Sequence, residues 1–146
     1  VELDFDFEKV TEKSKDNPVF YVQYAYARIN SIFRLLKLNL KSKIKIENKN
    51  FTFNKHEIEI LKKIAAWPKC IELTSAKLEP HRIPFYLYDL STMFHSYWNL
   101  GKENEEFRFV SKVNKNSSER LVLLQALALV IENGMSLIGV STPKSM

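Results

Sequence analysis

Glycine occurs three times in this 146-residue chain, at positions 101, 134 and 139, and proline five times. Sandwiches and barrels reverse direction roughly every 8 to 12 residues and draw on both residue types at those turns. In a chain this poor in them a many-turned sandwich is not expected, and helices should dominate. The same scarcity closes off phosphate-loop chemistry, because three dispersed glycines cannot form GxGxxG or a Walker A cradle. A hydrophobic fraction of 45%, with 12% aromatic residues, supplies one core, and the length fits a single domain.

The helix signals are distinct. In Asp16-Asn17-Pro18, Asn17 reads as an N-cap and Pro18 as the first helical residue, where a missing N–H does no harm. Phe20, Tyr24, Ala27, Phe33 and Leu36 then recur at near-helical spacing, which predicts a first helix over 18–38. Asn54 with Glu57 is a capping-box variant that opens a second helix over 55–67, ended by Pro68. A short helix is predicted over 69–78. Another long one starts after Glu79-Pro80 and carries Ile83, Leu87, Leu90 and Phe94 to residue 99, with Pro84 tolerated in its first turn. Residues 101–116 read as a polar loop with one short turn. Asn116 with Glu119 repeats the capping pattern, and Leu121, Leu124, Ala128 and Ile131 carry the last helix to Gly134.

Lysine and arginine total 22 against 17 acidic residues, a net charge of +5 that leans toward anionic partners. The excess is local: residues 37–55 hold Lys37, Lys41, Lys43, Lys45, Lys49 and Lys55 against Glu47 alone. Ile44, Ile46, Phe51 and Phe53 alternate with polar residues there, so 39–53 reads either as a short hairpin turning at 47–50 or as a solvated loop. The apolar run at 126–131 falls well short of the roughly 18 residues a membrane span needs, so no membrane association is expected. A lone Cys70 offers neither an intrachain disulfide nor a CxxC pair, which points to a buried thiol in a reducing, cytoplasmic setting. His56, His81 and His95 lack zinc-site spacing, and although His81 or His95 could serve Cys70 as a base, the apolar neighbourhood beside Ile71 reads as that of a structural thiol. No catalytic, metal-binding or cofactor-binding residue is expected. The N-terminal residues carry no basic or apolar targeting region and no initiator Met, so the chain reads as a segment of something longer.

Aromatic residues crowd two helix stretches: Phe20, Tyr21, Tyr24 and Tyr26 in the first, and Phe94, Tyr97 and Trp98 late in the third long stretch. Such rings either pack the core or stack unpaired bases. The segment Asp16-Asn17-Pro18-Val19-Phe20-Tyr21-Val22-Gln23-Tyr24-Ala25-Tyr26-Ala27-Arg28-Ile29 resembles the DNPVFYVQYAHARI segment of bacterial arginyl-tRNA synthetases. Further segments agree in order along the chain: Leu3-Asp4-Phe5-Asp6, Glu79-Pro80-His81-Arg82-Ile83, Tyr86-Leu87-Tyr88-Asp89-Leu90, Arg120-Leu121 through Asn133-Gly134, Leu137-Ile138-Gly139-Val140, and the terminal Pro143-Lys144-Ser145-Met146.

The resemblance implies the C-terminal DALR anticodon-binding domain of that class I ligase, and with it an all-α fold, a helical bundle of about five to six helices. Residues 1–15 would be the tail of the catalytic domain or a connector, and 16–146 the anticodon-binding bundle. The family's HIGH and KMSKS-type motifs are absent from these 146 residues, so the ATP that the full-length enzyme uses would bind elsewhere and this segment would be catalytically silent. The implied partners are the anticodon loop of arginine tRNA and the protein's own catalytic domain, in a cytoplasmic monomer. The residues implied to contact tRNA are Asn17, Tyr21, Tyr24, Arg28, Tyr97, Trp98 and Met146, with Arg28, Arg82 and lysines holding phosphates. Two departures stand out. The four residues that name the domain read Gln125-Ala126-Leu127-Ala128, taken as packing and surface positions, and the family's His in QYAHAR is Tyr26, read as a partly buried ring. The alternative is a free-standing DALR-like module that acts as an adaptor for protein interaction or RNA modification.

Overall fold

The computed structural model describes residues 16–46, 50–111 and 117–146. They form five α-helices and one 3-10 turn: α1 Pro18–Leu35, α2 Lys55–Ala65, α3 Trp67–Lys77, α4 Arg82–Glu103, the turn Glu105–Phe107, and α5 Ser118–Leu137. The all-α expectation holds, with the α-helix count at the low end of the range. No strand occurs among the described residues; 39–46 and 50–53 are loop, and the expected hairpin turn falls largely on 47–49, outside them. The connector read over 1–15 and the Asn116 cap also lie outside.

α4 is the central element. It packs against α1, α2, α3, α5 and the 3-10 turn, and its Leu87, Leu90 and Phe94 are fully buried. Phe33 of α1, Ile60 of α2 and Leu124, Leu127 and Ile131 of α5 close on them. Each such side chain contributes about 1.5–3 kcal/mol when removed from water, so this core dominates stability. α5 is long and apolar enough to cross a bilayer by length and composition, but more than half of that stretch is buried inside the bundle. α3 has no buried residue and lies on the outside.

The helix starts follow local chemistry. Asn17 Oδ1 accepts from the Val19 and Phe20 amides, and Asn54 with Glu57 forms a complete capping box. Ser117 caps α5 through the Arg120 amide. The ends depart from expectation. α1 stops at Leu35 because Lys37 turns left-handed (φ 56°), with Leu38 N–H donating to the Phe33 carbonyl and Lys37 N–H to Arg34, a Schellman end. α5 runs through Gly134 to Leu137 and closes the same way on Gly139, φ 74°. Gly134 instead permits close packing: a Cβ there would lie 2.7 Å from Leu87 Cδ2.

One polar cluster sits inside the bundle. Glu57, fully buried, accepts from Arg120 Nε at 2.5 Å, from the Tyr97 hydroxyl at 2.7 Å and from the Asn54 amide at 2.9 Å. Arg120 also donates to the Glu106 carbonyl, and Asn54 Nδ2 donates to the Tyr97 oxygen. The cluster ties α2, α4, α5 and the 3-10 turn together. Burial first, and the Glu57 carboxylate second, hold the Tyr97 phenol well above its usual pKa.

Candidate nucleic-acid interface

Tyr21, Tyr24 and Arg28 follow one another at three and four residues, so α1 presents them on a single face. α4 meets that face with Tyr88, His95 and Trp98, spaced by seven and three. The two helices form the most extensive pair in the bundle, and the result is a continuous aromatic surface. The Tyr21 ring lies 4.5 Å from the His95 ring and 5.2 Å from that of Tyr88, and Tyr24 stacks on His95 at 5.7 Å. The Arg28 guanidinium lies 4.2 Å from the Tyr24 ring centre and 5.2 Å from that of Trp98. Tyr21, Tyr24, Arg28 and Trp98 are all half-buried, with the remainder of each open to solvent. Beside Trp98 an apolar recess of about 420 Å³ opens between α1 and the 107–110 segment.

Hydrogen bonds fix the cluster. Arg28 Nη2 donates to the Tyr24 hydroxyl at 2.9 Å, and Arg28 Nη1 lies 3.1 Å from His95 Nδ1. His95 Nε2 is 3.2 Å from the Tyr21 carbonyl oxygen. A guanidinium can only donate and a carbonyl only accept, so His95 carries its proton on Nε2 and accepts from Arg28 at Nδ1. Burial is the main reason its pKa falls to about 4; the Tyr21 carbonyl pulls upward and the Arg28 charge downward. The imidazole is therefore neutral at physiological pH.

Of the residues expected to contact RNA, Tyr21, Tyr24, Arg28 and Trp98 come together here. Asn17 lies at the start of the same helix, but it is buried and committed to capping. Tyr97 is a correction: it is 1% exposed, with its hydroxyl held by Glu57, because one residue's step along α4 rotates it from the Trp98 surface into the core. Met146 is exposed at the chain end. The tail before it follows another face of α1, with the Gln23 amide donating to the Ser141 carbonyl and Arg34 to Lys144. Those two positions are roughly 120° around the helix from the tyrosine face. Arg28 is bonded within the cluster, and Arg82 is ion-paired with Glu79, so neither is a freely extended phosphate ligand. Tyr26 is almost fully buried.

His95 and Tyr88 were missed as members of this surface. Their 88–95–98 spacing along α4 complements that of Tyr21, Tyr24 and Arg28 on α1, a pattern the sequence carried. Among the described residues no group of three His, Cys, Asp or Glu side chains could hold a metal ion. Cys70 is half-buried, its sulfur 4.0 Å from the Arg82 carbonyl oxygen.

Comparison with known proteins adds a separate line of information. The family model of the DALR anticodon binding domain matches residues 22–146. An arginine–tRNA ligase of Pelagibacter ubique is 57% identical over 146 residues, all of this chain and 25% of the ligase. Its counterpart from Rhizobium meliloti is 47% identical across 99% of this chain and 26% of its own length. The chain thus spans about a quarter of the length of the curated relatives it matches. A solved Campylobacter jejuni structure described as an arginyl-tRNA synthetase superposes with a TM-score of 0.78 at 24% identity, over 99% of this chain and 30% of its own, and shares the fold.

Proposed function

The chain belongs to the DALR anticodon-binding domain family, and on that basis we propose that it is the anticodon-binding part of an arginyl-tRNA synthetase, gripping the anticodon loop of arginine tRNA. Its partners in this reading are that tRNA and the catalytic domain of the same protein, which uses ATP to join arginine to the 3′ end; the enzyme works as a cytoplasmic monomer. The observation that carries the reading is the solvent-open stack of Tyr24, Arg28 and Trp98 across α1 and α4.

Anticodon bases are unpaired, and unpaired bases are held by stacking on rings and guanidinium planes and by hydrogen bonds to their edges. Tyr21, Tyr24 and Trp98 supply planes, and Arg28 supplies both a plane and donors. The recess beside Trp98 accommodates a base turned out of the loop. His95 acts as a positioning residue: it holds Arg28 against the Tyr24 ring without neutralising it. In this role the domain does no chemistry, and its contribution is to fix the tRNA while the reaction proceeds elsewhere.

The test uses the ligase that carries this chain. Each stacked base is worth about 1–3 kcal/mol, so Tyr24→Ala and Trp98→Ala are each expected to lower kcat/KM for arginine tRNA by roughly 5- to 150-fold, with circular dichroism unchanged. Unaltered charging by both variants would reject the stacking role.

A further inference from the structure

We infer that the cleft between the C-terminal end of α1, the turn at 38–41, α5 and the C-terminal tail is a second RNA contact, one that takes backbone phosphates of the bound tRNA; this rests on the reading of the chain as a tRNA-binding domain. The cleft holds about 420 Å³, and Arg34, Lys41 and Lys144 line it against Glu132, its one carboxylate. Arg34 donates to the Lys144 backbone carbonyl at 3.2 Å, which brings the tail and α1 to the same rim. Lys41 Nζ lies 3.4 Å from Glu132 with 74% of its side chain exposed. An ion pair this open is worth little, so a phosphate can replace the carboxylate. Lys37, Lys43 and Lys45 extend the positive charge from the same segment, and all three are exposed.

The segment that bears these lysines is anchored rather than loosely tethered. Gln125 Nε2 lies 2.7 Å from both the Leu40 and Ser42 carbonyl oxygens. The two N–H bonds of its amide satisfy both carbonyls together; an ionised aspartate at this position, as in the domain's namesake tetrad, could donate to neither. The Asn39 side chain accepts from the Lys41 amide, and the Ser42 amide donates to the Asn39 carbonyl. At the entrance to the turn, Lys37 keeps a left-handed backbone in a Schellman position where glycine is the unstrained choice, as at Gly139 in the same chain. Lysine is a compact cation suited to phosphate oxygens. Arg34 lies ten residues beyond Tyr24, roughly 15 Å along α1, so one helix carries base stacking near its start and phosphate contacts at its end.

The experiment is a titration of the full chain with arginine tRNA, and with the same tRNA carrying a replaced anticodon, between about 50 and 200 mM salt. The variants are Arg34→Gln/Lys41→Gln/Lys144→Gln combined, Lys37→Gly, and Tyr24→Ala. For three lost contacts to a single-stranded backbone, the slope of log affinity against log salt is expected to shrink by roughly 2, equally for both tRNAs. Lys37→Gly should weaken binding while raising the melting temperature, so that loss of fold cannot account for the effect. An unchanged slope in the triple variant, with its melting temperature retained, would overturn the phosphate contact. Tyr24→Ala should keep the slope and lose discrimination between the two tRNAs. If the wild-type chain shows no discrimination while the triple variant still loses slope, the anticodon reading fails and the phosphate contact survives.

Discussion

At Glu57 a carboxylate is removed completely from water and survives only because Arg120, Tyr97 and the Asn54 amide all donate to it. Removing one member of such a group leaves an uncompensated buried charge, which typically costs about 3–5 kcal/mol. Arg120→Met is expected to destabilise the fold by that order in urea unfolding, and Tyr97→Phe by about 2–4 kcal/mol, since the carboxylate loses one hydrogen bond and Asn54 Nδ2 loses its acceptor. A second residue-scale case is Leu78, exposed and left-handed at φ 54°. That conformation costs an L-residue roughly 1–2 kcal/mol, so Leu78→Gly should raise the unfolding midpoint. Adjacent rings illustrate what the sequence left open at this scale. Tyr97 and Trp98 are equally aromatic, and the crowding of rings drew attention to both. Which one faces outward depends on the rotational phase of α4 against α1, and that is set by tertiary packing.

At the scale of elements, helix starts were legible because their causes are local. Asn17 and Asn54 cap where their spacing said they would, and Pro18 begins α1. Ends were less so. Gly134 looked like a stop, yet α5 continues because Leu87 of α4 occupies the space a side chain would fill; only the neighbouring helix explains that glycine. Gly134→Ala would gain about 1 kcal/mol of helix propensity, but overpacking a closed contact costs about 1–3 kcal/mol. Leu87 is fully buried and cannot swing away. A net loss of roughly 1 kcal/mol is therefore expected in thermal unfolding, from the balance of those two terms. The lysine-rich segment was open between hairpin and loop because its alternation suits either. Gln125, in a different helix, reaches its Leu40 and Ser42 carbonyls in the loop form.

For the whole molecule, the pH response centres on the α1–α4 contact. His95 titrates near 4 when folded and near 6.5 when unfolded, so above 6.5 both states hold a neutral ring and the fold keeps its full stability. As pH falls from 6.5 toward 4 the unfolded chain takes up a proton that the folded one refuses, and stability declines; below about 4 this loss is complete. His95→Gln should flatten that part of the stability–pH curve, measured by denaturant midpoints across the range. The all-α bundle was legible from glycine scarcity and helix periodicity. The aromatic surface was legible in part, through Tyr21, Tyr24, Arg28 and Trp98, but the neutral histidine beneath them was not.

That histidine also bears on how quickly the surface can engage an anion. Among the described residues no carboxylate is paired with Arg28; its hydrogen-bond partners are an uncharged ring nitrogen and a phenol oxygen. An incoming RNA therefore has no resident ion pair to break and meets a cation already held beside the rings, with little reorganisation left between encounter and capture.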